Sequence, residues 1–435
     1  MRFAAGLCTV LLLVPVVWAA GPIDTPTSTE PRVALATSKS QVGLVGSEGV
    51  GKSYSRIANG DTLYSRDIHV ALPGFKVNLE PASKAVDLLL WGNLPEQSSS
   101  AVLESVVILH DSKAYDLDFT LMRGRVVLTN TKESGSAKVW LRTEKVAVEL
   151  VLVQPGTQVA LELYGRWPAG VSFHRERKTA DEPTQLWEIF VLKGDVQIKA
   201  AKTTWAMAAA PGRSYFQGDS VNGPDPGGPQ QVKETPDWAD PKAKPTKVGI
   251  LADEVIKEYA GKLKGEEPGA VAQAFFALSL KDKIAERGAM VRQIVVTTLA
   301  ALDEVDKVVD LLETSPNHDA RKAAVIGLRH WIGAREGRDD KLHDLLIENR
   351  HYTKVEADVI LNLLHSPFDP NVAETYDTLI AYLKHRKQAV RELSHWHLTR
   401  LAPLGRDIPY DAHGPAEERA KAADAWRKLE LPPKK

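Results

Sequence analysis

Between Pro211 and Lys247 the chain holds seven prolines and five glycines, and its hydrophobic rhythm differs on the two sides of that stretch. Proline fixes φ and removes a backbone donor while glycine loosens the chain, so neither a helix nor a central strand is expected to pass through. The segment 211–247 therefore reads as a Pro/Gly-rich linker. Before it, apolar residues alternate in short runs. After it, they recur at helical spacing. This predicts a multidomain chain, with an all-β part over 42–210 (a sandwich, jelly roll or β-solenoid) followed by an all-α part over 248–435.

The β expectation rests on period-two patterning. Phe75, Val77 and Leu79 alternate with small or polar neighbours, as do Val146, Val148, Leu150 and Leu152. Further strands are expected over 85–91, 105–109, 137–142, 158–164, 186–192 and 196–200. Turn chemistry separates them at Asn59-Gly60-Asp61, Leu72-Pro73-Gly74, Arg123-Gly124, Pro155-Gly156 and Lys193-Gly194.

Three of these pieces, Leu121-Met122-Arg123-Gly124-Arg125-Val126, Pro155-Gly156-Thr157-Gln158-Val159 and Val191-Leu192-Lys193-Gly194-Asp195-Val196, together resemble the FecR-like β domain. The resemblance covers about residues 40–220. It implies an exported bacterial sensor or surface module. The chain lacks the cytoplasmic helix bundle and long transmembrane segment of the membrane-anchored sensors, so sigma-factor control does not follow from it.

From Val248 onward, Ile250, Val255, Ile256 and Tyr259 are expected on one helix face, and Val291, Ile294, Val295, Leu299 and Leu302 on another. Breaks at 265–268, Ser315-Pro316-Asn317, Ser366-Pro367 and Asp369-Pro370 divide this part into helices. The run from Asp319 to Ala324 leading into Leu328-Arg329-His330-Trp331 is similar to that from Gln388 to Leu393 leading into His395-Trp396-His397-Leu398. Both resemble the second helix of a HEAT-type repeat, with Arg321 and Arg391 in matching places. This implies a solenoid of stacked helix pairs, closed by a last helix carrying Ala423, Trp426 and Leu429.

The first residues have the layout of a secretory leader over 1–20: Arg2, an apolar run of roughly a dozen residues, then Ala19-Ala20. The run falls short of the ~20 residues a bilayer span needs, so a membrane association is expected only if the leader stays uncleaved. A flexible lead-in is expected over 21–41. Cys8, the single cysteine, sits in the leader, so a processed chain has no disulfide, thiolate metal site or cysteine nucleophile. Lys plus Arg (55) balances Asp plus Glu (56), and the balance persists from Val248 onward with 28 basic and 30 acidic residues. No surface basic enough for a nucleic acid is implied.

Four constellations offer chemistry. Gly46-Ser47-Glu48-Gly49-Val50-Gly51-Lys52-Ser53 fits the phosphate-loop pattern, but a helix must follow, and Asn59-Gly60 interrupts any such helix. A Gly-rich hairpin is the expected form. Val106 to Asp111 has the look of a companion Mg²⁺ strand without the α/β alternation that strand needs. His395 and His397 would lie about 200° apart on a helix and cannot easily share a metal, so a His-Trp packing element, repeated at His330-Trp331, is expected. Asp116 and Asp118 share one face of a strand, either as a carboxylate pair or as the wet side of an edge. Trp91, Trp140, Trp167, Trp187 and Trp205 offer either a sugar-stacking platform or core.

No catalytic, cofactor or metal residue is assigned. The expected function is that of an exported, non-enzymatic scaffold or sensor in the periplasm or cell envelope, its solenoid binding a protein partner. The alternative is a cell-wall glycan binder using the β-domain aromatics.

Overall fold

The computed structural model describes residues 32–431 apart from 50–51, 96, 98–101, 169, 179–180, 201–202, 241, 264–266, 280–284 and 430. The expected leader and most of the expected lead-in lie outside the described residues. A β part comes first and a helical part second, as the change of period predicts.

The strands are β1 (Ala34–Ser38), β2 (Leu44–Ser47), β3 (Ser55–Ile57), β4 (Thr62–Tyr64), β5 (Ile68–Ala71), β6 (Lys76–Pro81), β7 (Val86–Trp91), β8 (Ser105–His110) and β9 (Leu117–Asn130). There follow β10 (Ala137–Arg142), β11 (Ala147–Leu152), β12 (Gln158–Arg166), β13 (Thr184–Lys193), β14 (Asp195–Ala200), β15 (Thr203–Ala208), β16 (Tyr215–Asp219) and β17 (Gly223–Pro224). One sheet runs β4-β1-β6-β7-β9-β12-β13-β16-β17. The other runs β3-β2-β5-β8-β9-β10-β11-β14-β15, antiparallel except for β9 beside β10. Alternate side chains such as Val77, Leu79, Leu88 and Leu90 from the first sheet and Val139, Leu141, Leu150 and Leu152 from the second are buried, forming the core between the two.

Strand β9 belongs to both sheets. Its first half pairs with β8 and β10, its second with β7 and β12. The passage falls at Gly124, where φ is 104° and a Cβ would run into the Glu104 carbonyl and the Cα of Ser105. Arg123-Gly124 is thus a bend within one strand and not the turn between two strands that glycine implied. Two further expectations need correction. β1 lies inside the expected lead-in, paired with β4 and β6. β16 lies inside the expected linker, where Tyr215, Phe216 and Gln217 fit between the glycines and pair with β13. Beyond β17 the chain lies over the outer face of the first sheet. Trp238 meets Trp91 and Phe190 edge-on at 5.4 and 5.7 Å, and the Arg125 guanidinium stacks on its ring at 3.7 Å.

The helices are α1 (Lys247–Lys262), α2 (Pro268–Ser279), α3 (Ala285–Ala301), α4 (Val305–Thr314), α5 (His318–Gly333), α6 (Arg338–Glu348), α7 (Lys354–His365), α8 (Ala373–Tyr382), α9 (Gln388–Leu401) and α10 (Ala416–Arg427). Thr246 caps α1 by accepting from the Gly249 amide, and Thr353 with Glu356 forms a reciprocal capping box on α7. In α1 the buried face is Ala252, Val255, Ile256 and Tyr259; Ile250, expected there, is 47% exposed. The expected face of α3 is buried throughout, and α10 buries Ala423 and Trp426. Arg321 and Arg391 do occupy matching places. Both are buried, and each donates from Nη1 to the carbonyl six residues earlier, Ser315 at 2.9 Å and His385 at 2.7 Å. The helices nevertheless curl back on themselves: α9 reaches past α6 and α7 to touch α4 and α5, leaving α5 enclosed by α3, α4, α6, α7 and α9. In an open stack each repeat meets only its neighbours.

The two parts share one hydrophobic cluster. Phe75, at the turn after β5, packs on Tyr259 of α1 with ring centroids 6.2 Å apart. At the end of β12, Gly165 lies directly on the backbone of Gly333, so close that a Cβ on Gly165 would fall on the Gly333 carbonyl. Gly165→Ala is expected to destabilise the chain by about 1–3 kcal/mol through overpacking, read as a lower urea midpoint. Gly261→Ala, on an exposed part of α1 with open space around it, should instead gain about 0.5–1 kcal/mol. Equal midpoints for the two variants would contradict the backbone contact.

Candidate functional site

The β part has two open seams, because each sheet ends in unpaired edge strands. At one seam the edges are β15 and β17, and the space between the sheets is a small apolar cavity of about 30 Å³. Trp187 and Trp205 line it and pack on Phe216 at 5.2 and 5.1 Å, half-buried against the core. At the other seam the edges are β3 and β4. There the sequence places serines, threonine and charges instead of apolar residues, and the result is a polar cleft of about 600 Å³.

Arg32 crosses the mouth of this cleft. It pairs with Asp67, meets Glu48 at 2.9 Å and lies 4.7 Å over the ring of Tyr64. The bond from Asp67 raises the Arg32 pKa, while burial pushes the Asp67 carboxyl up. The Ser47 hydroxyl donates to the Gly49 carbonyl at 2.8 Å and shapes the hairpin that forms one wall. His69, 1% exposed, lies in the floor. Burial lowers its pKa to about 4, so the ring is neutral at pH 7. It hydrogen-bonds to the Val107 carbonyl, and its Nδ1 is buried without a partner.

The phosphate-loop string falls in this hairpin, with Val50 and Gly51 outside the described residues. Gly46 and Ser47 end β2, Ser55 begins β3 opposite Gly46, and a strand therefore stands where a phosphate loop needs a helix. The companion string falls on β8, antiparallel to β5 and β9.

The remaining expected residues do not converge. Asp118 is buried and holds Arg142 through two bonds of 2.9 Å, while Asp116 takes Lys132 at 2.8 Å and the Lys138 amide at 2.8 Å. Each carboxylate thus faces its own cation, and Asp118 is not on a wet edge because β9 is central. Tyr115 stacks on Trp140 at 5.2 Å beside them. His395 packs on Tyr410 at 4.6 Å, whereas His397 meets the Leu363 carbonyl at 2.6 Å on another side of α9, as the helical spacing requires. The repeated His-Trp element does not hold. Trp331 donates to Asp303 at 2.8 Å, but Trp396 lies between Arg329 and Arg400 at 4.7 and 3.6 Å. Aligning the two arginines offsets these tryptophans by five residues. Nor do the five tryptophans make a platform: Trp91 and Trp140 are on opposite sheets, and Trp167 stacks on His365 at 4.0 Å between the two parts. Among the described residues no group of three or more His, Cys, Asp or Glu is arranged to hold a metal ion.

Buried charges join the two parts. Arg177, in the loop after β12, grips Asp339 through bonds of 2.7 and 3.0 Å, Asp340 at 2.9 Å and Glu182 at 3.0 Å. Glu104 pairs with Arg123 and meets His330 at 3.3 Å. Burial opposes its ionisation, but the Arg123 charge and the contact with His330 prevail and hold Glu104 well below the usual carboxylate range. Asp303 accepts from Tyr54 at 3.2 Å and Arg338 at 3.0 Å.

Sequence reasoning passed over Arg32, His69, Arg177 and Trp238. A lone histidine in the apolar run Ile68-His69-Val70-Ala71 was the available signal for the cleft floor. The charged run His174-Arg175-Glu176-Arg177-Lys178 marked the grip on the helices.

Burial also depresses His397, to about 3. For both His69 and His397 the folded pKa lies below the ordinary value of about 6.5, so the unfolded chain takes up protons first. Their contribution is whole above about pH 6.5 and drains as the pH falls toward their folded values, by up to about 1.4 kcal/mol per pH unit for each. The urea midpoint should fall between pH 6.5 and 5, and His397→Phe should make that fall shallower. A midpoint constant to pH 5 would contradict the neutral buried rings.

Comparison of the chain with protein-family models, with curated proteins and with solved structures finds no match.

Proposed function

We propose that this chain works outside the cytoplasm as a non-enzymatic scaffold or sensor of the cell envelope. In this reading a FecR-like β sandwich is braced by a HEAT-like helical part, whose outer surface takes a protein partner. The observation that carries it is the Arg177 grip. One guanidinium, 3% exposed, is held by carboxylates from both parts, Glu182 on the β side and Asp339 and Asp340 on α6. Losing one partner of such a buried cluster costs about 3–5 kcal/mol, so the parts are held in one fixed geometry. A ligand on the β side and a partner on the helical side would therefore be presented at constant separation, which suits a scaffold.

The enclosure of α5 moves the partner surface from a concave inner groove to the outside of the helices. Leu404 and Val355 stand out there at 80% and 72% exposure. The glycan reading loses its five-tryptophan platform and keeps only the Tyr115–Trp140 pair.

The test places photo-cross-linking residues at Val355, at Leu404 and, on the β part, at Val221, which is 66% exposed. In the living cell the protein should fractionate with the envelope, and Val355 or Leu404 should give an adduct with one protein species. A cytoplasmic protein, or adducts from Val221 alone, would remove this reading.

A further inference from the structure

We propose that the polar cleft between β3 and β4 is a binding site for a neutral saccharide. The assignment is independent of the envelope-scaffold reading and rests on shape, charge and the hydroxyls of the walls.

The cleft's volume of about 600 Å³ lies in the ordinary range for small-ligand sites, and its position at a seam gives a ligand access to both sheets. The walls offer hydroxyls: Ser53 and Ser55 on the hairpin side, Thr62 and Tyr64 on the β4 side. Hydroxyls both donate and accept, which matches the alternating demands of a sugar ring.

Charge selects against ions. Arg32 and Lys52 stand against Glu48, Asp61 and Asp67, and Arg32 is already committed to two of those carboxylates. An incoming phosphate or carboxylate would have to displace Glu48 or Asp67 from Arg32 and would meet the remaining acids. A peptide strand would need apolar pockets for alternate side chains, and the lining supplies only Ile57 and the ring of Tyr64 for that purpose.

His69 closes the floor with a neutral ring, which adds no charge to the site. The cleft therefore presents a neutral base, hydroxyls on its walls, and paired charges at its mouth that can take further hydroxyls without a net ionic demand.

The test is calorimetric titration of the full chain at pH 7.5 with maltose, cellobiose and N,N′-diacetylchitobiose, alongside inorganic phosphate, glucuronate, spermidine and a Gly-Ser peptide. At least one of the three disaccharides should bind, and the four other probes should bind at least tenfold more weakly or not at all. Ser55→Tyr should weaken that binding at least tenfold: position 55 is exposed, so the fold and melting temperature should be unchanged while the added ring fills the cleft. The proposal is overturned if none of the disaccharides binds, if an ion or the peptide binds more tightly, or if Ser55→Tyr binds the sugar as well as the parent chain.

Discussion

Strand β9 can change sheets only where its backbone presses on residues 104 and 105, and Gly124 makes that contact possible. The same point anchors the helices. Arg123 and Glu104 flank the crossing and pair with each other, and Glu104 extends the pair to His330 on α5. The Ser105 hydroxyl, next along the chain, is bonded to both the Trp91 and Arg125 carbonyls at 2.8 and 2.7 Å. A constraint that begins as steric exclusion of a side chain thus fixes where two sheets meet and where the helical part attaches.

Buried ion pairs of this kind contribute little net stability, because removing charges from water costs about what their attraction returns. Their value here is in specifying geometry. A purely apolar contact between the two parts would tolerate sliding, whereas Arg177 accepts only one placement of Asp339 and Asp340. The apolar term comes from the continuous cluster that includes Phe75, Tyr259 and Trp167.

Much of the fold was legible because period is a local property. The strands expected over 85–91, 137–142 and 196–200 and the helix breaks at Pro316 and Pro367 depend on neighbouring residues, and the structure has them. What escaped was set by distant contacts. Gly124 looks like a turn until one knows that residues 104 and 105 lie against it. The linker prolines hid β16, since only pairing with β13 makes Tyr215–Asp219 a strand. The cleft was still harder to see. Its wall carries the letters of a phosphate loop, and its two edges, β3 and β4, are neighbours in sequence that belong to different sheets. The offset between the two His-Trp pairs shows the opposite error, where a local likeness suggested an equivalence that packing does not respect.

Arg321 has a consequence for the order in which the chain can mature. Its guanidinium is wholly buried, yet its counter-charges are Glu392 and Asp411, 71 and 90 residues downstream. Until those residues have left the ribosome, the first turn of helix α5 has neither carboxylate to neutralise the charge it carries. Burial of that turn is thereby tied to the emergence of α9 and the segment beyond it.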